Sequence, residues 1–149
     1  MKVFFATPYT QLCDENNMLK EDYKNFFTKL VEEAKKLEIE YFLALEREEW
    51  GKNYICADES TNIDYNAILD SDVVCIIPGI PHSGGVHVEI GWASSNKKKM
   101  HIFLNKNCSY SPMVTGLKSL TDANFYYYES EFSDELIDAI IKSIMDIKG

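Results

Sequence analysis

The stretch from Asp72 to Leu104 constrains the fold more than any other part of this 149-residue chain. It opens with Val73 to Ile77, an apolar run that is β-branched apart from Cys75 and short enough to be a strand buried on both faces. Pro78 to Gly85 breaks the pattern with Gly79, Pro81, Ser83, Gly84 and Gly85, residues that end a strand and let a backbone approach a ligand closely. A helical pattern follows from Val86 to about Asn96, with Val86, Ile90 and Ala93 on one face and a single acid, Glu89, among neutral neighbours. Met100 to Leu104 then reads as another buried strand. Strand, glycine loop, helix and strand describe a crossover between parallel strands, and sheets of that kind bind ligands outside the carboxyl ends of their strands.

The rest of the chain extends this unit. Lys2 to Ala6 is a short apolar strand ending in the loop Thr7-Pro8-Tyr9-Thr10, which a parallel sheet places at the ligand crevice. Its hydroxyls suit either sugar and phosphate contacts or plain turn chemistry. From about Leu19 to Leu37 the residues Tyr23, Phe26, Phe27, Leu30, Val31, Ala34 and Leu37 recur at helical spacing, which predicts a helix packed on the sheet. Tyr41 to Leu45 reads as the second strand, and Glu46 to Ser60 as a polar connection. Long connections in compact domains are often functional, so Arg47 and Trp50 are candidate substrate contacts; Trp50 equally suits covering a sheet edge. Thr61-Asn62-Ile63-Asp64 has the spacing of a capping box that would open a helix to about Leu69, and the box alone accounts for Asp64. Asn105 to Ser119 reads as irregular, Asn124 to Tyr128 as a fifth strand, and Ser133 as the cap of a last helix with Leu136, Ile137, Ile140, Ile141, Ile144 and Met145 in its buried stripe. The whole, residues 1–149, predicts one α/β domain: a five-stranded, mostly parallel sheet, doubly wound with helices on both faces in flavodoxin-like order.

Composition narrows the partners. A formal charge of −9 argues against a nucleic-acid polymer or an anionic membrane surface. Arg47 is the only arginine, so a phosphate-bearing ligand would lean on backbone N–H groups, hydroxyls and lysine. Cys13, Cys56, Cys75 and Cys108 show neither a CxxC pair nor metal-ligand spacing, and no cofactor is implied. Cys75, inside a core strand, reads as a small hydrophobe. The N-terminal MKVFFATPY is apolar too briefly for a signal peptide and no run is long enough for a membrane span, so a cytoplasmic protein is expected.

Glu89 itself has two readings. At a helix start the dipole would hold it ionised beside the glycine loop, as a nucleophile requires, or it merely complements the dipole in the first turn. Its context adds weight to the first. The chain resembles the nucleoside 2-deoxyribosyltransferases and their relatives, the nucleotide and nucleoside N-glycoside hydrolases. The resemblance lies in a first strand ending in a small-residue loop, in Asp64 eight residues before Asp72-Val73-Val74, and in Gly85-Val86-His87-Val88-Glu89-Ile90-Gly91-Trp92-Ala93, which follows the pattern G-x-x-x-E-[LI]-G-x-A. It runs in order along the whole chain.

The resemblance implies that Glu89 attacks the anomeric carbon of a nucleoside sugar, giving a glycosyl-enzyme intermediate that a second base or water resolves. Asp64 would position Glu89 or the sugar, or manage a proton on the leaving base; retaining glycoside cleavage uses two carboxylates roughly 5 Å apart in such roles. Ser83, with Gly84 and Gly85, matches the serine that holds the 5′ side in nucleotide-hydrolysing members, after a one-residue insertion. Two departures stand out. Val3, Phe4 and Phe5 occupy the first strand where relatives often carry a tyrosine, leaving only Tyr9 in the following loop. The loop Thr7-Pro8-Tyr9-Thr10-Gln11 also lacks the phosphate-gripping arginine of nucleotide-hydrolysing members, a role open to Arg47 or to a lysine from a neighbouring subunit. The expected ligand is therefore a small-molecule nucleoside or nucleotide, with 2′-deoxynucleosides first, and the expected assembly a homo-oligomer. The competing reading is a non-catalytic nucleotide-binding or regulatory domain on the same fold.

Overall fold

The computed structural model describes residues 1–79 and 82–149; Pro81, counted above with the glycine loop, lies outside them. Five strands form one sheet: β1 (Lys2–Ala6), β2 (Glu40–Phe42), β3 (Val73–Ile76), β4 (Lys99–Asn105) and β5 (Ala123–Tyr128). Every pairing is parallel and the order is β2-β1-β3-β4-β5, so the sheet is wholly rather than mostly parallel. The helices are α1 (Glu21–Lys36), α2 (Ala44–Arg47), α3 (Ala57–Asp70), α4 (Gly84–Ser95), α5 (Pro112–Thr115) and α6 (Asp134–Lys148).

The period-two alternation of the strands divides the core into two layers. Val3, Phe5, Val73, Cys75, Ile77 and Phe103 face one way, against Phe26, Phe27, Leu30 and Val31 of α1 and Leu136, Ile137, Ile140 and Ile144 of α6. Phe4, Ala6, Val74, Ile76, Met100, Ile102 and Leu104 face the other way, against Ile68 of α3, Val86, Ile90 and Ala93 of α4, and Val114 of α5. Strands buried on both faces explain the near-continuous apolar runs at Val73 and Met100. Phe27 is fully enclosed, and burial of a side chain of that size contributes about 1.5–3 kcal/mol.

The structure moves several element boundaries. β2 stops at Phe42, and the apolar Ala44 and Leu45 that extended the strand pattern begin the short α2. The polar connection after it holds a 3-10 turn, Glu49–Gly51, and ends at Cys56, where α3 begins. Thr61 is therefore inside α3 and caps nothing, which removes the capping-box account of Asp64. The segment after β4 is also partly ordered, since Ser111 accepts from Met113 N–H at 3.2 Å to cap α5. In α6, Ser143 replaces Met145 on the buried stripe; Met145 is exposed.

From β1 the chain passes through α1 to β2 on one side, then returns through α3 to β3 on the other. The carboxyl ends of β1 and β3 thus flank the point where the winding reverses, the usual crevice of doubly wound sheets. Two loops meet there. Gly79 has φ +82°, and a Cβ on it would lie 2.1 Å from Cγ of Pro8, so the approach of the β3 loop to the β1 loop requires a glycine.

Candidate active site

Four elements bring side chains to that crevice. Thr7, Tyr9 and Thr10 come from the loop after β1, Arg47 and Glu48 from the end of α2, Ser60 and Asp64 from α3, and Ser83, Gly85 and Glu89 from the start of α4. They line a cleft of about 320 Å³, to which Tyr54 adds an aromatic wall, its ring tilted against that of Tyr9 with the centroids 5.7 Å apart. A second cleft of about 300 Å³ shares Ser60, Asp64, Gly85 and Glu89 and continues over Thr61, Val88 and Trp92. Asp64 and Glu89 are therefore common to both.

The local structure fixes each group. Ser83 is the N-cap of α4; its Oγ accepts from Val86 N–H at 3.3 Å, which ties down the helix start. Glu89 lies one and a half turns further in and faces the crevice from the second turn. Asp64, in the middle of α3, accepts a 2.6 Å bond at Oδ1 from Nη1 of Arg47. Nη2 of Arg47 lies 3.3 Å from Oε1 of Glu48 and donates to Ser60 Oγ at 3.3 Å. The guanidinium sits over the Phe42 ring, 5.4 Å from its centroid. Glu48 also accepts from Ile55 N–H at 3.4 Å and is buried.

Three polar atoms of this site are sealed from solvent with no hydrogen-bond partner among the described residues: the Tyr9 hydroxyl, Nε of Arg47 and Oε2 of Glu89. Buried polar groups are nearly always paired, so three such orphans around one cleft are exceptions concentrated at this site. The electrostatics are equally uneven. Burial first, and the charge of Asp64 second, push Glu89 up to about 8, against the opposing pull of Arg47. Burial raises Asp64 too, outweighing the arginine bonded to it. Burial and the neighbouring Glu48 raise the Tyr9 phenol.

This corrects the expectation of a dipole-held anion at Glu89. The dipole acts mainly within the first turn, and α4 starts two residues before the helical pattern became visible, leaving Glu89 too deep for it. Among the other candidates, Thr7, Tyr9, Arg47, Asp64, Ser83, Gly85 and Glu89 share the cleft. Trp50 and Gly84 do not. Trp50 has φ +61° and packs against the α1 side of the core, its carbonyl accepting from Leu19 N–H at 3.3 Å, and it lines neither cleft. Gly84 is the exposed first residue of α4 and lines neither cleft. The sequence reading missed Glu48, Ser60 and Tyr54. Glu48 stands in the run Glu46-Arg47-Glu48-Glu49, which reads as a solvated surface, and nothing in its spacing marks it as buried.

No protein-family model matches the sequence, and neither does any curated protein. Solved structures do match. BlsM is 32% identical over 99% of this chain and 94% of its own, with a TM-score of 0.77. CMP N-glycosidase BcmB of Clostridium botulinum is 24% identical over the full length of both chains, with a TM-score of 0.72. A conserved protein from Enterococcus faecalis V583 is 18% identical, with a TM-score of 0.61 over 95% of this chain and 98% of its own.

Proposed function

The chain belongs to the nucleoside 2-deoxyribosyltransferase family, which includes the related nucleotide and nucleoside N-glycoside hydrolases, and from that we propose that it cleaves the N-glycosidic bond of a 2′-deoxynucleoside or related nucleotide. One observation carries the proposal: two carboxylates from different helices, Asp64 and Glu89, share one cleft at the switch point, and Oε2 of Glu89 is shielded there without a partner among the described residues. The N-glycosidase activity in the name of the structural neighbour BcmB agrees with it.

The chemistry follows from the protonation of the pair. With Glu89 raised to about 8 and the charge of Asp64 among the causes, the pair carries one proton near neutral pH, held mostly by Glu89. A glycosidic base leaves poorly as an anion and needs that proton. As the bond from C1′ to the base nitrogen breaks, its electron pair goes to the nitrogen, which takes up the proton of the pair. A Glu89 oxygen forms the new bond to C1′. Asp64, on the next helix, relays the proton, and the products are a neutral base and a glycosyl ester on Glu89. Water or a second base then attacks C1′, gives its own proton to the pair and releases Glu89.

One proton shared by two carboxylates predicts a bell-shaped pH dependence of kcat/KM. The alkaline limb falls near pH 8, where the pair loses its proton, and the acid limb lies lower, where both groups are protonated and no nucleophile remains. The test is a panel of nucleosides and nucleotides assayed for free base, with intact-mass spectrometry of the quenched enzyme. We expect a sugar-sized mass increase on the wild type that is absent from Glu89→Gln. Base release by the variant at the wild-type rate refutes the assignment.

A further inference from the structure

Arg47 is the only arginine in the chain, and its terminal nitrogens are directed at protein carboxylates. Nη1 meets Asp64 at 2.6 Å and Nη2 meets Glu48 at 3.3 Å, with side-chain exposures of 18% for Arg47, 14% for Asp64 and 6% for Glu48. The remaining Nε–H is sealed from solvent, and Phe42 covers one face of the guanidinium. A cation held this way on both sides is poorly placed to meet a ligand phosphate. It is well placed to distinguish two neighbouring carboxylates. Asp64 has a direct charge-assisted bond to Arg47, whereas Oε2 of Glu89 has no partner among the described residues.

We propose that Arg47 is a positioning residue that holds Asp64 as the ionised member of the carboxylate pair, leaving the shared proton to Glu89, and that it is not a substrate contact. The proposal rests on the two-carboxylate reading above and adds the group that makes the two unequal. Without a cation bonded to one of them, two buried carboxylates compete for one proton on similar terms. With it, the proton rests on the residue that must attack, so attack and protonation of the leaving base are drawn from one protonation state. Glu48 opposes the arrangement, because it shares the guanidinium and its own charge disfavours an ionised Asp64. The charged and titratable groups facing the pair are thus Arg47 and Glu48 from α2, with Tyr9 and Tyr54 from the flanking loops.

The test is the carboxyl ¹³C titration of Asp64 and Glu89 in the folded full-length protein, with resonances assigned through Asp64→Asn and Glu89→Gln. In Arg47→Gln the Asp64 midpoint should rise by about 1–3 pH units, the usual effect of losing an adjacent opposite charge, and Arg47→Lys should recover most of that rise. An unmoved Asp64 midpoint overturns the proposal. If Arg47→Gln does not fold, Glu48→Gln supplies the readout: removal of the competing carboxylate should lower the Asp64 midpoint, and no change there overturns the proposal as well. In parallel, kcat/KM against pH is measured for a deoxynucleoside and its 5′-monophosphate. Arg47→Gln should move both limbs to higher pH for both substrates alike. A tenfold rise in KM confined to the monophosphate, with the limbs in place, would make Arg47 a phosphate contact instead. If the wild type releases no base from any substrate, the glycosidase reading fails, while the carboxyl titration still decides what Arg47 does.

Discussion

Replacing Glu89 with glutamine should stabilise the protein, and do so in a pH-dependent way. An acid ordinarily at 4.5 that sits at about 8 in the folded state binds its proton more tightly folded than unfolded. Between those two values the unfolded chain has released the proton and the folded chain has not, so stability falls as pH rises through the interval. The interval spans about 3.5 pH units, and at about 1.4 kcal/mol per unit the full loss is on the order of 5 kcal/mol, with about 3 kcal/mol already lost at pH 7. Glutamine keeps the shape and carries no charge, so the variant escapes the loss. Typical domains are stable by only about 5–15 kcal/mol, which makes a change of this size easy to measure. The assay is urea unfolding of both proteins at pH 5, 6, 7 and 8 with the protein concentration held fixed. We expect nearly equal stabilities at pH 5 and a gap in favour of the variant that widens to a few kcal/mol at pH 8, alongside loss of base release. A gap that stays flat with pH, or a variant less stable at pH 8, refutes the buried-acid account of Glu89.

Asp64→Asn should lower base release by about 10²–10⁴, the range for loss of a positioned proton-transfer group, and unchanged turnover with only a lower Tm would leave Asp64 a purely structural partner of Arg47. Gly79→Ala should cost about 1–3 kcal/mol, because alanine is strained at φ +82° and its methyl group collides with Pro8; an unaltered melting temperature would show that the two crevice loops are not locked together. For substrates, kcat/KM should favour a deoxynucleoside over its 5′-monophosphate, since Ser83 Oγ is used as a helix cap and Arg47 is held by carboxylates. A hundredfold preference for the monophosphate, about 2.7 kcal/mol, would place a phosphate on the Ser83 loop. Met113 and Leu120, 81% and 79% exposed, suit a subunit contact, so light scattering should report a homo-oligomer; a fully active monomer would refute a shared site.

Much of the fold was legible because its signals are local. Val73 to Ile76 is apolar without alternation because both faces of β3 are covered, and the α1 residues Phe26, Phe27, Leu30, Val31 and Ala34 repeat at the helical period because one face of that helix is covered. Local signals mislead where they compete. Ala44 and Leu45 carry no mark that distinguishes the end of a strand from the start of a short helix. Cys56 opens α3 without any side-chain cap, whereas Thr61 and Asp64 imitate a capping box five residues inside it. The false cap makes the helix look shorter than it is and puts Asp64 in its first turn, where an acid needs no further explanation.

The site shows the same division between what is local and what is not. That Glu89 and Asp64 stand near a buried strand and a glycine loop was legible from their spacing, but their sharing of one cleft and their protonation were not, because these depend on burial and on charges that the chain brings in from α2. The segment Glu46 to Glu49 illustrates this best. In sequence it is one basic residue among three acids, the ordinary composition of a wetted surface. In the fold, Arg47 and Glu48 turn inward between Phe42 and α3, so one cation faces three carboxylates in a largely buried crevice. Exposed charges of that kind would exchange partners at little cost, whereas buried ones take on definite protonation states. The inward turn of α2 therefore does more than shape the cleft: on the assignment proposed above, it sets which of two carboxyl groups holds the shared proton. Helices α3 and α4 supply that pair, and their own sequences contain neither lysine nor arginine to make the choice.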